Sequence, residues 1–296
     1  MQNRRDFIKK AGLFSTGLIA SGCMAYDKRQ AKPSSIKNLP DIILISADDL
    51  GIQLGCYGDK QARTPNLDQL AENGVRFETA WVTQASCSPS RSSIYTGLFP
   101  HQNGQIGLSH RGYSMNDAYA AIPSVLKQYG YRTGQIGKFH VEPESLCPFD
   151  FKYRDGEVCF RQRDVRVMNQ KAEQFIMESD EPFFLMYNHV DPHRPFGGHT
   201  DQLPEKPFKA EEVNPLPHLK LDSPDVRQET AGYYNCVNRL DTGVGELMEI
   251  LEKRGKRDNT VVIFAGDHGP PFTRAKTTCY DIGMRIPFII NGPGFI

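Results

Sequence analysis

The stretch from Cys87 to Gly97, Cys-Ser-Pro-Ser-Arg-Ser-Ser-Ile-Tyr-Thr-Gly, combines residue types that could bind and attack an anion. Pro89 is preset for the first turn of a helix, Ser88 is suited to cap it, and Gly97 is suited to end it. We therefore expect a short helix with Cys87 at its N-terminus, where free N–H groups and the helix dipole favour negative charge. Arg91 follows about one turn later, so its guanidinium can reach back toward the same point.

Two pairs of metal-binding side chains each follow an apolar, β-branched run typical of a buried parallel strand. Asp48 and Asp49 follow the first run, and Asp267 and His268 follow a later one. Because open α/β sheets bind ligands at the carboxyl ends of their strands, the two pairs can converge on one ion. Adjacent carboxylates repel each other, which favours a cation between them. An oxygen-rich set suits Ca²⁺ or Mg²⁺ better than zinc.

Lys138 and His140 close another predicted strand, in Gly-Lys-Phe-His. Since the two residues alternate along an extended segment, both side chains can point to one side. A lone cysteine, lysine or histidine in such a place is most often an ordinary structural or surface residue. The functional interpretation therefore depends on all of these groups meeting in one place.

Together these features resemble the sulfatase family, whose signature is Cys-x-Pro-x-Arg followed by Thr-Gly. The matching positions are Cys87, Pro89, Arg91, Thr96 and Gly97. The resemblance covers roughly residues 40–296 and implies that Cys87 is oxidised to formylglycine by a formylglycine-generating enzyme. It also implies a Ca²⁺ site, with Mg²⁺ the less favoured ion. The implied ligands are Asp48, Asp49, Asp267, His268 and an oxygen of the modified Cys87. Many relatives carry Asn at the position of His268, although iduronate-sulfatase-type members also carry His.

The resemblance also implies roles for the basic residues. Lys138 would bind the sulfate and His140 would contact the formylglycine, as in the family's Gly-Lys-x-His. His193, within Asp-Pro-His-Arg, would protonate the leaving oxygen or nitrogen. Lys276 would also grip the sulfate, with Arg274 as a less well aligned rival. Hydrated formylglycine would attack sulfur, and its second hydroxyl would let the sulfo-enzyme collapse to sulfate and aldehyde.

Several stretches resemble heparan N-sulfatase (sulfamidase) members more closely than arylsulfatases. They are residues 100–104 (PHQNG), 134–141 (GQIGKFHV), 148–151 (PFDF) and 191–194 (DPHR). They favour N-sulfoglucosamine of heparan-type glycans as the substrate, with other sulfated polysaccharides, including algal ones, as the alternative. Two further alternatives are a phosphodiesterase or phosphonate hydrolase of the alkaline-phosphatase superfamily and an inactive glycan-binding homologue.

The alternation of strand-like and helical patterns predicts an α/β fold with a mostly parallel sheet sandwiched by helices. The predicted strands are 41–47, 131–137, 183–189, 260–265 and 286–290, and the predicted helices are 64–73, 121–129, 164–178 and about 225–254. The 296 residues carry a formal net charge of zero, which gives no electrostatic case for binding nucleic acid. Sulfatases typically continue beyond the last of these strands, so we expect 40–296 to be a catalytic domain whose C-terminal subdomain is missing.

The N-terminus has the pattern of an export signal: a basic start, an apolar middle and a small-residue end at Cys23. Residues 1–23 resemble a twin-arginine signal and also a lipoprotein site with Cys23 as the lipidated residue. Residues 24–39 are predicted to be a linker. The protein is therefore expected in the periplasm, either free or membrane-anchored. The alternative interpretation of the N-terminal residues is a basic amphipathic helix.

The remaining cysteines have no metal-type spacing, and we assign no disulfide. They are Cys56, Cys147, Cys159, Cys236 and Cys279.

Overall fold

The computed structural model describes residues 39–154, 163–197 and 202–294. Within these ranges a seven-stranded sheet has the order β2-β7-β6-β1-β5-β3-β4. The strands are β1 (Asp41–Ala47), β2 (Val75–Arg76), β3 (Arg132–Gly137), β4 (Phe151–Tyr153), β5 (Phe183–Asn188), β6 (Thr260–Gly266) and β7 (Phe288–Asn291). The predicted export signal, Cys23, Cys159 and all of the predicted linker except its last residue lie outside the described residues.

The centre of the sheet is parallel. Strand β1 lies between β5 and β6, with Ile43 opposite Leu185 on one side and Val262 on the other. Strand β3 continues the parallel part beyond β5, and β4 follows it. Strands β7 and β2 are antiparallel to their neighbours and form the other edge. The mostly parallel α/β fold predicted from the sequence is thus confirmed, and the carboxyl ends of β1, β3, β5 and β6 point the same way.

Helices cover both faces of the sheet. The α-helices are α1 (Pro65–Glu72), α2 (Cys87–Thr96), α3 (Pro100–Asn103), α4 (Ile122–Gln128), α5 (Val165–Met177), α6 (Pro224–Lys253) and α7 (Asp281–Met284). Because successive strand residues point to opposite faces, Ile43 packs in a core with Phe175 of α5 and Leu240 of α6. Leu44 packs on the other face with Tyr95 of α2. Among the described residues, no helix is both long and apolar enough to span a bilayer.

Several predicted boundaries differ from those in the structure, each for a local reason. Helix α2 begins at Cys87 after Ser86, so the prediction that Ser88 caps it is wrong; the Ser88 hydroxyl instead accepts a hydrogen bond from the Ser109 N–H at 3.1 Å. The last predicted strand begins at Phe288, because the preceding proline has no N–H to donate. Strands β2 and β4 were missed because two and three residues are too short to show a pattern.

Candidate active site

The predicted functional residues lie at one edge of the sheet, in the loops that follow the parallel strands. Asp48 and Asp49 follow β1, Lys138 and His140 follow β3, His193 follows β5, and Asp267 and His268 follow β6. Cys87 and Arg91 come from α2, and Lys276 comes from the loop between β6 and α7. Because the strands are parallel, residues far apart in the chain reach one place.

The end of β1 is held in a specific conformation. Asp49 has a φ of 66°, in the left-handed region that side-chain-bearing residues rarely adopt. Its N–H donates to Asp267 Oδ1 at 2.9 Å, which ties the end of β1 to the end of β6. The N–H of Asp48 donates to the carbonyl of Asp191 at 3.0 Å, which ties β1 to the loop after β5. The two carboxylates are therefore fixed through the backbone on both sides.

The end of β3 approaches the end of β5 closely. Gly137 has a φ of 85°, and a Cβ atom there would lie 2.1 Å from the carbonyl oxygen of Asn188. The next N–H, of Lys138, donates to that same carbonyl at 2.9 Å. Only glycine fits this close approach, which directs Lys138 into the site, where its ammonium pairs with the carboxylate of Asp48.

Cys87 is 3% exposed at the N-terminus of α2. Its Sγ lies 3.4 Å from His268 Nε2, 3.5 Å from Lys276 Nζ and 4.0 Å from Asp49 Oδ1. Lys276 also donates to Asp49 Oδ1 at 2.7 Å, whereas its sequence rival Arg274 is an exposed residue. The cysteine therefore faces a lysine and an imidazole, two groups that can carry positive charge.

Arg91 is fully buried behind the carboxylates. Its Nε donates to Asp267 Oδ2 at 3.0 Å, and one Nη donates to Ser46 Oγ at 3.0 Å. Its other Nη lies 3.7 Å from Asp48 Oδ1. Burial disfavours its charge, but Asp267 and Asp48 outweigh burial and raise the pKa of Arg91. The anions that Arg91 contacts in the structure are thus the carboxylates of the site.

The charges of this cluster hold Asp48 ionised. Burial raises the pKa of that carboxyl, but Lys138, Arg91 and further cations lower it well below its usual range. Burial likewise lowers the pKa of His268, but nearby Asp267 and Cys87, with Asp49, raise it to about 10. The surrounding anions thus favour a positive charge beside His268, which either a proton on the imidazole or a metal ion bound by the neutral imidazole would supply.

The donor set fits a divalent metal ion. Ligand atoms of Asp48, Cys87, Asp267 and His268 lie within 4.8 Å of one another, as do those of the overlapping set Asp48, Asp49, Cys87 and His193. Asp48 Oδ1 and Asp49 Oδ2 are buried without a hydrogen-bond partner among the described residues. Buried carboxylate oxygens left in this state are unfavourable, so a cation with a preference for oxygen ligands would satisfy them.

Two histidines stand at the accessible side of the cluster. His193, with a side chain 21% exposed, has its Nε2 3.9 Å from Asp49 Oδ2, while its Nδ1 contacts the carbonyl of Arg194. His140 Nε2 lies 2.9 Å from Nδ1 of the exposed His110, with the rings stacked at 5.1 Å. Burial, reinforced by Lys138, lowers the pKa of His140 to about 3, so this imidazole is neutral at neutral pH.

Three features of the site went unpredicted. They are the Ser46 hydroxyl under Arg91, His110 beside His140, and a buried ion network formed by Asp191, Arg163 and Arg239. His110 and the two arginines lie far in sequence from the motif residues they meet, and single buried polar residues have no sequence pattern.

All five described cysteines are free, namely Cys56, Cys87, Cys147, Cys236 and Cys279.

The family model described as Sulfatase matches residues 40–296. The chain belongs to the sulfatase family. The family resemblance carried by the stretch after Cys87 is thereby confirmed, and the seven-stranded sheet described above is the family's fold in this chain.

Human N-sulphoglucosamine sulphohydrolase is 35% identical over 274 residues, which cover 85% of this chain and 55% of the relative. An ulvan-active sulfatase of Formosa agariphila is 30% identical over 302 residues, covering 95% of this chain and 58% of the relative. The crystal structure of Ps i-CgsB in complex with k-i-k-neocarrahexaose superposes with a TM-score of 0.70 at 26% identity, covering 86% of this chain and 66% of that chain. The chain thus spans less than two thirds of the length of each of these relatives.

Proposed function

We propose that this chain is the catalytic part of a sulfatase that hydrolyses sulfo groups on a sulfated glycan. The main support is the environment of Cys87, whose buried sulfur lies within 3.5 Å of both Lys276 and His268. A buried position at a helix N-terminus, facing cationic groups, suits a nucleophile that attacks an anionic group. The names of the sulfatase relatives agree with this reaction class.

In this proposal Cys87 is converted to formylglycine by a formylglycine-generating enzyme. When hydrated, that group supplies one hydroxyl as a nucleophile and a second one for the release of sulfate. The sulfur of Cys87 stands where the oxygens of formylglycine would lie. The side chains that now face the sulfur are therefore the ones that would face those oxygens.

The ion in this proposal is Ca²⁺, with Mg²⁺ as the alternative, because the site is rich in carboxylate oxygens. Its ligands would be Asp48, Asp49, Asp267 and His268, together with the modified Cys87. A bound ion supplies positive charge that acidifies a nearby hydroxyl and stabilises negative charge in the transition state.

The remaining residues bind the sulfo group and move protons. Lys138 and Lys276, each paired with a carboxylate in the structure, supply fixed positive charge for the sulfo oxygens. His193 is the partly exposed imidazole of the cluster, and it holds the proton for the leaving oxygen or nitrogen. His140 is the neutral imidazole of the site, and it would accept a proton when the aldehyde is restored only if a bound sulfo group offsets the charge of Lys138 and so raises the pKa of His140. Arg91 holds the carboxylates in place.

We further propose N-sulfoglucosamine of heparan-type glycans as the substrate, because the human relative named for that substrate is 35% identical. Another sulfated polysaccharide is the alternative, supported by the ulvan-active relative at 30% identity. The N-terminal signal pattern supports an exported location for the enzyme, with Cys23 as a lipid anchor site.

The test is to produce the full chain with a formylglycine-generating enzyme, analyse the Cys87 peptide by mass spectrometry, and measure sulfate release. We expect the thiol to be replaced by an aldehyde, and N-sulfated oligosaccharides to be hydrolysed faster than O-sulfated ones. Cys87→Ala should be inactive, whereas Cys279→Ala, at an exposed free cysteine, should retain full activity.

Other outcomes separate the alternatives. Complete modification without sulfate release, or an unmodified thiol, would contradict the hydrolase proposal and favour a glycan-binding protein. Faster hydrolysis of an aryl phosphate than of the matching aryl sulfate would favour a phosphodiesterase. A preference for O-sulfated oligosaccharides would leave the sulfatase proposal intact and overturn only the choice of substrate.

A further inference from the structure

We propose that Arg163 is a positioning residue that sets the place of His193, acting through a buried ion network with Asp191 and Arg239. The inference rests on the proposed function, in which His193 protonates the leaving group. Arg163 lies two residues before the start of α5 and Arg239 lies within α6, so the network links the segments of two helices to the loop after β5.

The network is centred on Asp191, which is 2% exposed. Arg239 binds this carboxylate with two hydrogen bonds, from Nε at 2.7 Å and from an Nη at 2.8 Å. Arg163 donates to the same carboxylate through one Nη at 2.9 Å. Burial raises the pKa of Asp191, but the two arginines outweigh it and hold the carboxyl ionised. Asp191 is therefore a fixed anchor for both guanidiniums.

Arg163 connects this anchor to the backbone of His193. Its second Nη donates to the carbonyl of His193 at 2.5 Å, while the N–H of His193 donates to the carbonyl of Val190 at 2.9 Å. The His193 backbone is thus held through both of its polar groups. Because the carbonyl of Asp191 also accepts from the N–H of Asp48, the same loop is fixed against the metal-site carboxylates.

A purely stabilising role accounts poorly for this arrangement. The network buries two guanidiniums against one carboxylate, and the thiol of Cys236, 3.6 Å from Arg163 and 3.5 Å from Arg239, is a neutral contact. Buried ion pairs often stabilise a fold no better than apolar residues of the same size. Replacing the network with apolar residues would lose the hydrogen bond from Arg163 to the carbonyl of His193.

Positioning of a general acid has a specific kinetic signature. A leaving group that is already a good anion departs without protonation, whereas an alkoxide or amide needs the proton. A misplaced His193 should therefore slow the hydrolysis of glycan sulfo groups and spare that of an aryl sulfate with a nitrophenolate leaving group. Loss of metal ligands or of folding would slow both reactions alike.

The experiment compares Arg163→Met with Arg132→Lys in the full chain carrying formylglycine. Arg163→Met removes the bond to His193 and leaves one carboxylate paired with one guanidinium. Arg132 is a matched control, because it also joins a backbone carbonyl, that of Phe175 at 2.6 Å, to a carboxylate, that of Glu178, but away from the carboxyl ends of the strands. Arg163→Lys is the second variant, which keeps the charge without the two-pronged geometry.

For Arg163→Met we expect kcat/KM to fall by about 10- to 100-fold on the sulfated glycan and by less than about threefold on the aryl sulfate. Arg163→Lys should show the same selective loss, and Arg132→Lys should change neither reaction. Equal losses on both substrates, or no loss on the glycan, would overturn the inference.

A second readout does not depend on turnover. The imidazole NMR signals of His193, assigned with a His193→Gln variant, should shift in Arg163→Met and stay unchanged in Arg132→Lys. Unchanged signals in Arg163→Met would overturn the inference even if the wild-type chain releases no sulfate. A wild-type chain without sulfatase activity, but with shifted signals, would instead count against the proposed function alone.

Discussion

Arg91 Nε donates to Asp267 Oδ2 at 3.0 Å, and neither side chain is exposed to solvent. The pair joins the helix that begins at Cys87 to the end of β6. The helix that carries Cys87 and a carboxylate of the proposed metal site are therefore coupled by one buried, charge-assisted hydrogen bond.

Replacing Arg91 with Met should strongly destabilise the protein, because the buried carboxylate of Asp267 would lose its hydrogen-bonded guanidinium and that of Asp48 would lose one of its cations. We expect the free energy of unfolding to fall by roughly 3–5 kcal/mol, measured by denaturant unfolding. The control is Lys253→Met, which removes an exposed pair with Glu249 whose side chains are 71% and 67% exposed. This substitution should alter the free energy of unfolding by no more than about 0.5 kcal/mol. A similar result for both variants would contradict the structural role of Arg91.

Metal binding should stabilise the fold through Asp49. Adding Ca²⁺ at about 100 times its Kd should stabilise the wild type by about 2.7 kcal/mol, seen as a rise in Tm. Asp49→Asn should lose most of this shift, because one of the two orphaned carboxylate oxygens is removed. Asp117→Asn, at an exposed loop position, should keep it. An equal Tm shift in both variants would place the ion elsewhere.

His189 should make stability depend on pH. Burial is the main cause that lowers the pKa of this fully buried imidazole from 6.5 to about 4. The unfolded chain therefore binds a proton between these values while the folded chain does not. The contribution of neutral His189 to the free energy of unfolding is therefore complete above pH 6.5. It is lost as the pH falls toward about 4, which lowers the free energy of unfolding by roughly 3 kcal/mol.

The measurement is the free energy of unfolding from pH 7 to pH 4 for the wild type and His189→Gln. The difference between the two proteins should narrow as the pH falls, because the variant lacks the titrating group. A difference that stays constant over this range would show that His189 does not titrate as described.

His110 should help to orient His140 and to bind the substrate. Its ring is exposed and stacks on that of His140, so its removal leaves His140 without this contact. For His110→Ala we expect KM for the sulfated oligosaccharide to rise about tenfold with a smaller change in kcat, the pattern of lost binding that is uniform between ground and transition states. His101→Ala is the control, since His101 is also exposed and stacks on Phe99. Equal KM values for the two variants would exclude this role.

The sequence predicted the fold class because each parallel strand is an apolar run followed by chemically distinctive residues. The runs before Asp48 and before Asp267 show both features. The sequence therefore predicted the strands, the edge of the sheet where they end and the candidate ligands at that edge. The long helix α6 was found from its periodicity, to within a residue at each end.

Contacts that depend on tertiary structure could not be predicted in this way. The left-handed conformation of Asp49 and the bond from Arg163 to His193 arise from packing between distant segments. Helical spacing predicted that Arg91 lies about one turn after Cys87, but it could not show that the guanidinium turns toward Asp267. Single polar residues such as Ser46 have no periodicity from which a partner could be inferred.

The burial of Cys87 has a consequence for the order of events during biosynthesis. With 3% of its surface exposed, Cys87 cannot enter the active site of another enzyme once α2 has docked on the sheet. If Cys87 is converted to formylglycine as proposed, the modifying enzyme must therefore act on the nascent or still unfolded chain. In a molecule that folds first, Cys87 would remain a thiol, so the fraction of molecules that carry formylglycine would depend on the relative rates of modification and folding.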